Sequence, residues 1–309
     1  MYELIIIGAG PAGLTAAIYA ARKRVNTLVL TKEVGGQALW SSEVENYLGF
    51  KIVTGEHLVS KFRSHLEGYD VLLKEGVIVT NIEKKDNIFI VHTKNEVYES
   101  RAVIISSGKV PKRLNITGET TFLGHGLAYC ATCDAPLFSD MNVAVIGGGN
   151  SALDAALQLT KIAKKIYLIT VNDDIYGEEV VKEKVLSANN LELLTFTQTD
   201  EVLGDQFITQ LKVTNIKTNE SRFLDVSGVF IEIGSIPSTS FCKDLVKLND
   251  RNEIIVNCET KTNVSGLFAA GDVSNVPDKQ IIIAAGEGSK AALSAYRYLT
   301  NQKIESDCN

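Results

Sequence analysis

The chain has 309 residues, of which 45% are hydrophobic and 22% charged, with a net charge of −6. That length exceeds what one core usually serves, so two domains are expected. The acidic balance, with no run of like charge longer than Arg22-Lys23-Arg24, argues against nucleic acid or an anionic membrane as the main partner. No apolar run approaches the roughly 20 residues that span a bilayer.

Met1 to Ile7 carry an acid at the third position and a short apolar run, without a basic segment or cleavage site. This is a strand, not a signal peptide, and the chain is expected in the cytoplasm. Thiols stay reduced there, so a Cys-x-x-Cys pair reads as redox or metal chemistry before structural stapling.

Leu4 to Ile7 form a buried strand, a glycine turn follows, and Pro11 to Ala21 form an Ala-rich helix; Val25 to Leu30 complete a βαβ unit. Further strands are predicted at Val77 to Val79, Ile88 to Val91 and Ala102 to Ile105, the last ending at Ser106-Ser107-Gly108. Asn142 to Ile146 open a second βαβ, with its helix at Ser151 to Ile162 and its next strand at Ile166 to Val171. Gly266 to Asp272 read as a strand ending in Gly-Asp, followed by a helix from about Gln280 to Leu299. That strand has no nucleotide fold of its own nearby, so it is expected to complete the N-terminal sheet. The fold class is therefore α/β, two doubly wound Rossmann-like domains with the second inserted in the first: 1–115 with 242–309, and 116–241. The expected hinges are 117–120 and 235–239.

In the first turn, Gly8-Ala9-Gly10-Pro11-Ala12-Gly13, Gly8 permits the bend, Gly10 lets backbone N–H groups reach a pyrophosphate, and Gly13 lets helix and strand pack closely. The usual acidic ribose ligand at the end of the second strand is missing, since Thr31 and Lys32 stand there. Cys130-Ala131-Thr132-Cys133-Asp134 lies between this turn and a second one, Gly147-Gly148-Gly149-Asn150-Ser151-Ala152. At the start of a helix Cys130 and Cys133 share a face and can close a small disulfide, with the first thiolate stabilised by the helix dipole. A zinc reading, with His125 five residues ahead, fails for want of a second ligand pair among Cys242, Cys258 and Cys308. Cys242 and Cys258 are expected to be buried small hydrophobes, and Cys308 a thiol on a frayed tail. Asp134 is a candidate proton donor to a thiolate or reduced flavin, or else a helix cap or a merely solvated acid.

These motifs resemble the low-molecular-weight thioredoxin reductases, and also the flavoprotein subunit of alkyl hydroperoxide reductase, over essentially the whole chain. The carrying residues are Gly8 to Gly13, Gly35-Gly36-Gln37, Glu43 to Tyr47, Cys130 to Asp134, Gly147 to Ala152, Thr262 to Asp272 and Lys279 to Gly288. The resemblance implies FAD on the first domain, held by Gly8, Gly10, Pro11, Ala12, Gly13, Gly36, Gln37, Asn46, Gly108, Gly271, Asp272, Gln280 and Ile281. Gln37 and Asn46 would lie near the flavin and ribityl chain, Asp272 on a ribityl hydroxyl, and Gln280 and Ile281 at the pyrimidine edge. It further implies that Cys133 faces the flavin, that Cys130 attacks a partner's disulfide, and that the enzyme is a homodimer. Since the chain starts at the first flavin strand, without thioredoxin-like modules ahead of it, a separate thioredoxin-like protein is expected to take the electrons.

The chain departs from the NADPH-dependent members after the second βαβ. There, Thr170 to Gly177 contain Asp173 and Asp174 but no Arg or Lys, so a 2′-phosphate is repelled. The acid that NADH would need at the strand end is replaced by Thr170. NAD(P)H is thus disfavoured and the 147–149 glycines read first as packing. The resemblance includes flavoproteins reduced by ferredoxin, which makes ferredoxin the expected donor. Its landing patch would be Lys109, Lys112 and Arg113, or Lys161, Lys164 and Lys165. The alternatives are an NAD(P)H-dependent thioredoxin reductase or peroxide-system diaphorase, and a flavin-binding dithiol sensor without turnover.

Overall fold

The computed structural model describes residues 1–41 and 44–302. The chain divides into two compact units, one of Met1–Leu39, Asn46–Val110 and Ile236–Asn309, the other of Trp40–Glu45 and Pro111–Ser235.

The first unit is built on a sheet that, among the described residues, has seven strands. Leu72–Lys74, Thr27–Val34, Tyr2–Ala9, Val97–Ile105 and Leu267–Ala269 run parallel in that order. Ile88–Thr93 and Val79–Lys85 add an antiparallel hairpin beside the first half of Val97–Ile105. Leu267–Ala269 pairs Val103 to Ile105 in register, so the late strand does complete the N-terminal sheet.

The run Leu4 to Ile7 is apolar at every position because both faces of the sheet are covered. Leu4 and Ile6 face one core with Ala16, Ala20, Ala291 and Ala295 from helices Pro11–Arg22 and Ile281–Leu299. Ile5 and Ile7 face the opposite core with Leu28, Phe89, Val103 and Ile254. The two helices touch at small residues: a Cβ on Gly288 would stand 2.0 Å from the Ala12 carbonyl oxygen.

The second unit has a parallel sheet in the order Leu191–Leu194, Lys165–Ile169, Asn142–Ile146, Gly228–Ile231, Leu127–Ala128. Helix Asn150–Leu159 covers one face through Leu153, Ala156 and Leu159. The other face packs on an antiparallel sheet of Thr197–Gly204, Ile208–Asn215 and Ser221–Asp225, through Ile146, Val229, Leu211 and Val213.

The expected hinge at 117–120 is corrected. It lies inside the second unit, where Glu119 is buried and accepts hydrogen bonds from Leu114 N–H (3.0 Å), Asn115 N–H (2.7 Å) and the Tyr129 hydroxyl (2.7 Å). Among the described residues no helix is long and apolar enough to cross a membrane.

Candidate functional site

In the first unit the strand Tyr2–Ala9 passes through Gly8 and ends just before Gly10, the N-cap of the helix that begins at Pro11, with no side chain capping it. A Cβ on Gly13 would lie 1.8 Å from the Gly8 carbonyl oxygen, so only glycine lets the helix close on the strand. Gly10 differs. A Cβ there would meet nothing nearer than the Gly35 carbonyl oxygen at 3.9 Å, which leaves an open cradle over the helix N-terminus where a pyrophosphate fits.

The other residues expected at the flavin gather around this turn. Gly35 N–H donates to the Ala9 carbonyl (2.8 Å), and a Cβ on Gly36 would stand 3.6 Å from Gly10. Gln37 Nε2 donates to the carbonyl of Lys109, next to Gly108 (2.8 Å), and Asn46 Nδ2 donates to Gln280 Oε1 (3.0 Å). Gln280 is the N-cap and Ile281 the first residue of the C-terminal helix. A Cβ on Gly271 would meet Ala12 at 3.0 Å, which brings Asp272 to the same end of the sheet.

Asp272 is half-buried and makes no side-chain hydrogen bond among the described residues. Burial pushes its carboxyl up, against the pull of Lys279 and Lys109. An unpartnered carboxylate of this kind can accept from a sugar hydroxyl. Beside it lies a group that the sequence reading missed. Lys109 Nζ and Lys279 Nζ stand 2.7 and 3.4 Å from Glu253 Oε1, with Asn249 donating to Glu253 Oε2 (2.8 Å). Burial pushes Glu253 up, but the hydrogen bonds from Lys109 and Asn249 and the two lysine charges win and hold it at about 2. Lys109 is therefore committed to a buried ion pair and drops out of the expected landing patch.

A second correction concerns the end of the second strand. The strand expected to end near Leu30 runs from Thr27 to Val34, because a bulge lets Ala9 pair Val34 and the Thr31 hydroxyl bonds the Ala9 N–H and the Glu33 carbonyl. An exposed acid, Glu33, thus stands at the strand end. The signal was in the sequence, one residue past Lys32, but the apolar run stopped too early to show it.

In the second unit Cys130 and Cys133 are joined as a disulfide with their Cα atoms 5.4 Å apart. Cys130 is the N-cap of the short helix Ala131–Asp134, and its carbonyl accepts from Cys133 N–H (3.2 Å) and Asp134 N–H (3.1 Å). Asp134 is buried in that helix. Tyr129, just before Cys130, is tied to Glu119, and Ala131 N–H donates to Glu232 Oε1 (3.2 Å), so the segment is held on both sides of the first cysteine. Among the described residues no group of three or more His, Cys, Asp and Glu side chains is placed to hold a metal ion.

The second glycine turn is part packing and part cradle. Cβ atoms on Gly147 and Gly148 would stand 2.3 Å from the Glu232 carbonyl oxygen and 2.6 Å from the Thr170 hydroxyl, whereas Gly149, the N-cap of helix Asn150–Leu159, faces open space. The 172–178 loop folds over the turn: Tyr176 N–H donates to the Gly148 carbonyl (2.7 Å) and Glu178 N–H to Asn150 Oδ1 (3.0 Å). Asp173 accepts from the Tyr176 hydroxyl, and Asp174 pairs with Lys182 at 2.6 Å. Lys182 lies beyond the 170–177 window, so the charge count made there was incomplete.

Cys242 is buried as expected, its thiol pushed up to about 12 by burial. Cys258 is not: it is exposed and is not a free thiol. Glu43 and Cys308 lie outside the described residues.

A profile of the pyridine nucleotide-disulphide oxidoreductases matches residues 2–290. The F subunit of alkyl hydroperoxide reductase from Staphylococcus epidermidis is 40% identical over 299 residues, 96% of this chain and 59% of that protein. Its counterpart from Staphylococcus aureus gives the same identity and coverage. The chain thus spans about three-fifths of the length of these curated relatives. Among solved structures, thioredoxin reductase from Streptococcus pyogenes superposes with a TM-score of 0.93 at 32% identity, covering 97% of this chain and 99% of its own. Thioredoxin reductase from Giardia duodenalis gives 0.90 at 32% with the same coverage. With an open glycine turn at a helix N-terminus in one unit and a cysteine pair in the other, the chain belongs to the pyridine nucleotide-disulphide oxidoreductase family.

Proposed function

We propose that this enzyme reduces the disulfide of a separate thioredoxin-like protein through Cys130 and Cys133, with FAD as its resident cofactor. The observation that carries the reading is the Cys130–Cys133 disulfide, placed at the N-cap of a short helix and held on both sides by Glu119 and Glu232. Bound FAD would supply the electron pair that opens this disulfide.

Gly10 and the helix behind it would hold the FAD pyrophosphate, Glu33 the ribose and Asp272 a ribityl hydroxyl, while the Asn46–Gln280 pair and Ile281 would lie at the ring. The chain's own chemistry is thiol exchange. The Cys130 thiolate attacks one sulfur of the partner's disulfide and releases the other as a thiolate. Cys133 then attacks Cys130 Sγ, which releases the second partner sulfur and restores the internal disulfide. Asp134, buried one residue past Cys133, would carry a proton between the thiols. Cys133→Ser and Cys130→Ser should each abolish turnover with thioredoxin while flavin reduction by the donor persists. Wild-type turnover in either variant would refute the relay.

For the donor, the expected ferredoxin has behind it only the missing nicotinamide anchors and the resemblance to ferredoxin-reduced flavoproteins. Two observations favour a nicotinamide instead: Gly149 keeps an open cradle at a helix N-terminus, and Lys182 neutralises one of the two acids counted against it. The family and the alkyl hydroperoxide reductase relatives support the same reading. The absence of an Arg or Lys in 170–177 still argues against a 2′-phosphate. A missing arginine pair weakens NADPH by roughly two to four powers of ten. NADH is therefore the favoured donor, and anaerobic flavin bleaching by NADH, NADPH and reduced ferredoxin in parallel decides it. Rapid bleaching by reduced ferredoxin alone would restore the ferredoxin reading, and bleaching by micromolar NADPH would overturn the anchor argument.

A further inference from the structure

Glu232 follows the strand Gly228–Ile231, and its backbone is pinned to the second glycine turn: its N–H donates to the Ile146 carbonyl (2.8 Å), and Gly147 packs on its own carbonyl oxygen. Its side chain accepts the Ala131 N–H at 3.2 Å. One residue therefore touches both the glycine turn and the first residue of the dithiol helix, all within the second unit. That N–H is the first amide of the helix after Cys130, one of the dipoles that would otherwise favour a sulfur anion at the N-cap. No cation pairs with Glu232 among the described residues. Burial pushes its carboxyl up to about 7, the Ala131 bond pulls it down, and Asp154 on helix Asn150–Leu159 pushes it up again. Two more buried carboxyl groups flank the pair: Asp134 on the dithiol helix, and Glu119, which accepts from the Tyr129 hydroxyl just before Cys130.

We propose that Glu232 is a positioning residue that sets the ionisation of Cys130 in the reduced enzyme: the site holds one negative charge at a time, on the Glu232 carboxylate or on the Cys130 sulfur. The exchange is balanced. A Cys130 thiol with a Glu232 carboxylate becomes a Cys130 thiolate with a Glu232 carboxylic acid, only the S–H bond breaking and an O–H bond forming. Acting through the Ala131 N–H and its charge, Glu232 keeps the thiol protonated until the carboxylate has taken up a proton, so nucleophilic strength at Cys130 is tied to a second titration.

This rests on Cys130 and Cys133 being the redox pair, and the test separates the two claims by reading alkylation and not turnover. The reduced full-length protein is treated with iodoacetamide from pH 5 to 9, and the rate is followed on the peptide carrying Cys130. Glu232→Gln keeps an acceptor for the Ala131 N–H but removes the charge. The wild type should show a two-limbed pH profile, and Glu232→Gln a single limb displaced about one pH unit downward, several-fold faster at neutral pH. Superimposable profiles would overturn the proposal. Should Glu232→Gln not fold, difference infrared titration of the wild type gives the second reading: the carboxyl midpoint should rise when the disulfide is reduced to the dithiol, and an unchanged midpoint would overturn it. Failure of the redox-pair reading shows separately, as loss-free turnover in the cysteine variants.

Discussion

Gly10 and Gly13 sit three residues apart in one turn, yet substitution should act on different properties. A side chain on Gly10 enters open space, so Gly10→Val should fold with little change in melting temperature but bind no FAD, read as absent flavin absorbance after incubation with the cofactor. A methyl on Gly13 collides with the Gly8 backbone, so Gly13→Ala should cost about 2–3 kcal/mol in urea unfolding besides losing the cofactor. Glu253 adds a pH signature. Its folded pKa of about 2 lies below the ordinary carboxylate value, so its contribution is present above about pH 4.5 and is lost as pH falls through about 2. Lys109→Met, which leaves Glu253 with Lys279 as its remaining charge partner, should cost about 3 kcal/mol at neutral pH and flatten that acid limb in pH-dependent unfolding. None of this network was legible in the sequence, because Lys109 lies 144 residues from Glu253, the strand Leu267–Ala269 separates Glu253 from Lys279, and no local pattern links them.

At the level of the element, the parts that a glycine turn and an apolar run define together were readable, while their ends and the polar loops between them were not. The helix read as Pro11 to Ala21 runs Pro11–Arg22, and the one read from about Gln280 runs Ile281–Leu299. The second strand ran past its apolar residues to Val34, since a hydroxyl of Thr31 and a bulge extended it, and this hid Glu33. The antiparallel sheet Thr197–Asp225 went unread, because its one-sided burial spreads the apolar residues thinly among Thr, Glu and Gln. Residues 117–120 looked like a hinge by composition. They instead form the loop that anchors the dithiol segment: Glu119→Ala would strand two backbone donors and the Tyr129 hydroxyl, costing about 3 kcal/mol. Glu119→Ala should also make Cys130 and Cys133 exchange with glutathione faster, measured by mass shift of the intact protein. An unchanged exchange rate with the full stability loss would confine Glu119 to a structural part.

For the whole molecule, the order of motifs carried the architecture: two glycine turns after apolar strands, a late Gly-Asp strand, and a cysteine pair between them yield two doubly wound sheets with one unit inserted in the other. Donor choice was less legible, since it depends on groups such as Lys182 and Gly149 whose meaning is spatial. The central claim is that Cys130 is the sulfur that meets the partner. It is tested most directly with the Cys133→Ser protein and a thioredoxin carrying one active-site cysteine activated as a mixed disulfide with 5-thio-2-nitrobenzoate. One equivalent of the yellow thiolate should be released, and peptide mass mapping should find the thioredoxin cysteine bonded to Cys130. Release from Cys130→Ser at the same rate, with the adduct on Cys133 or on another cysteine, would contradict the assignment.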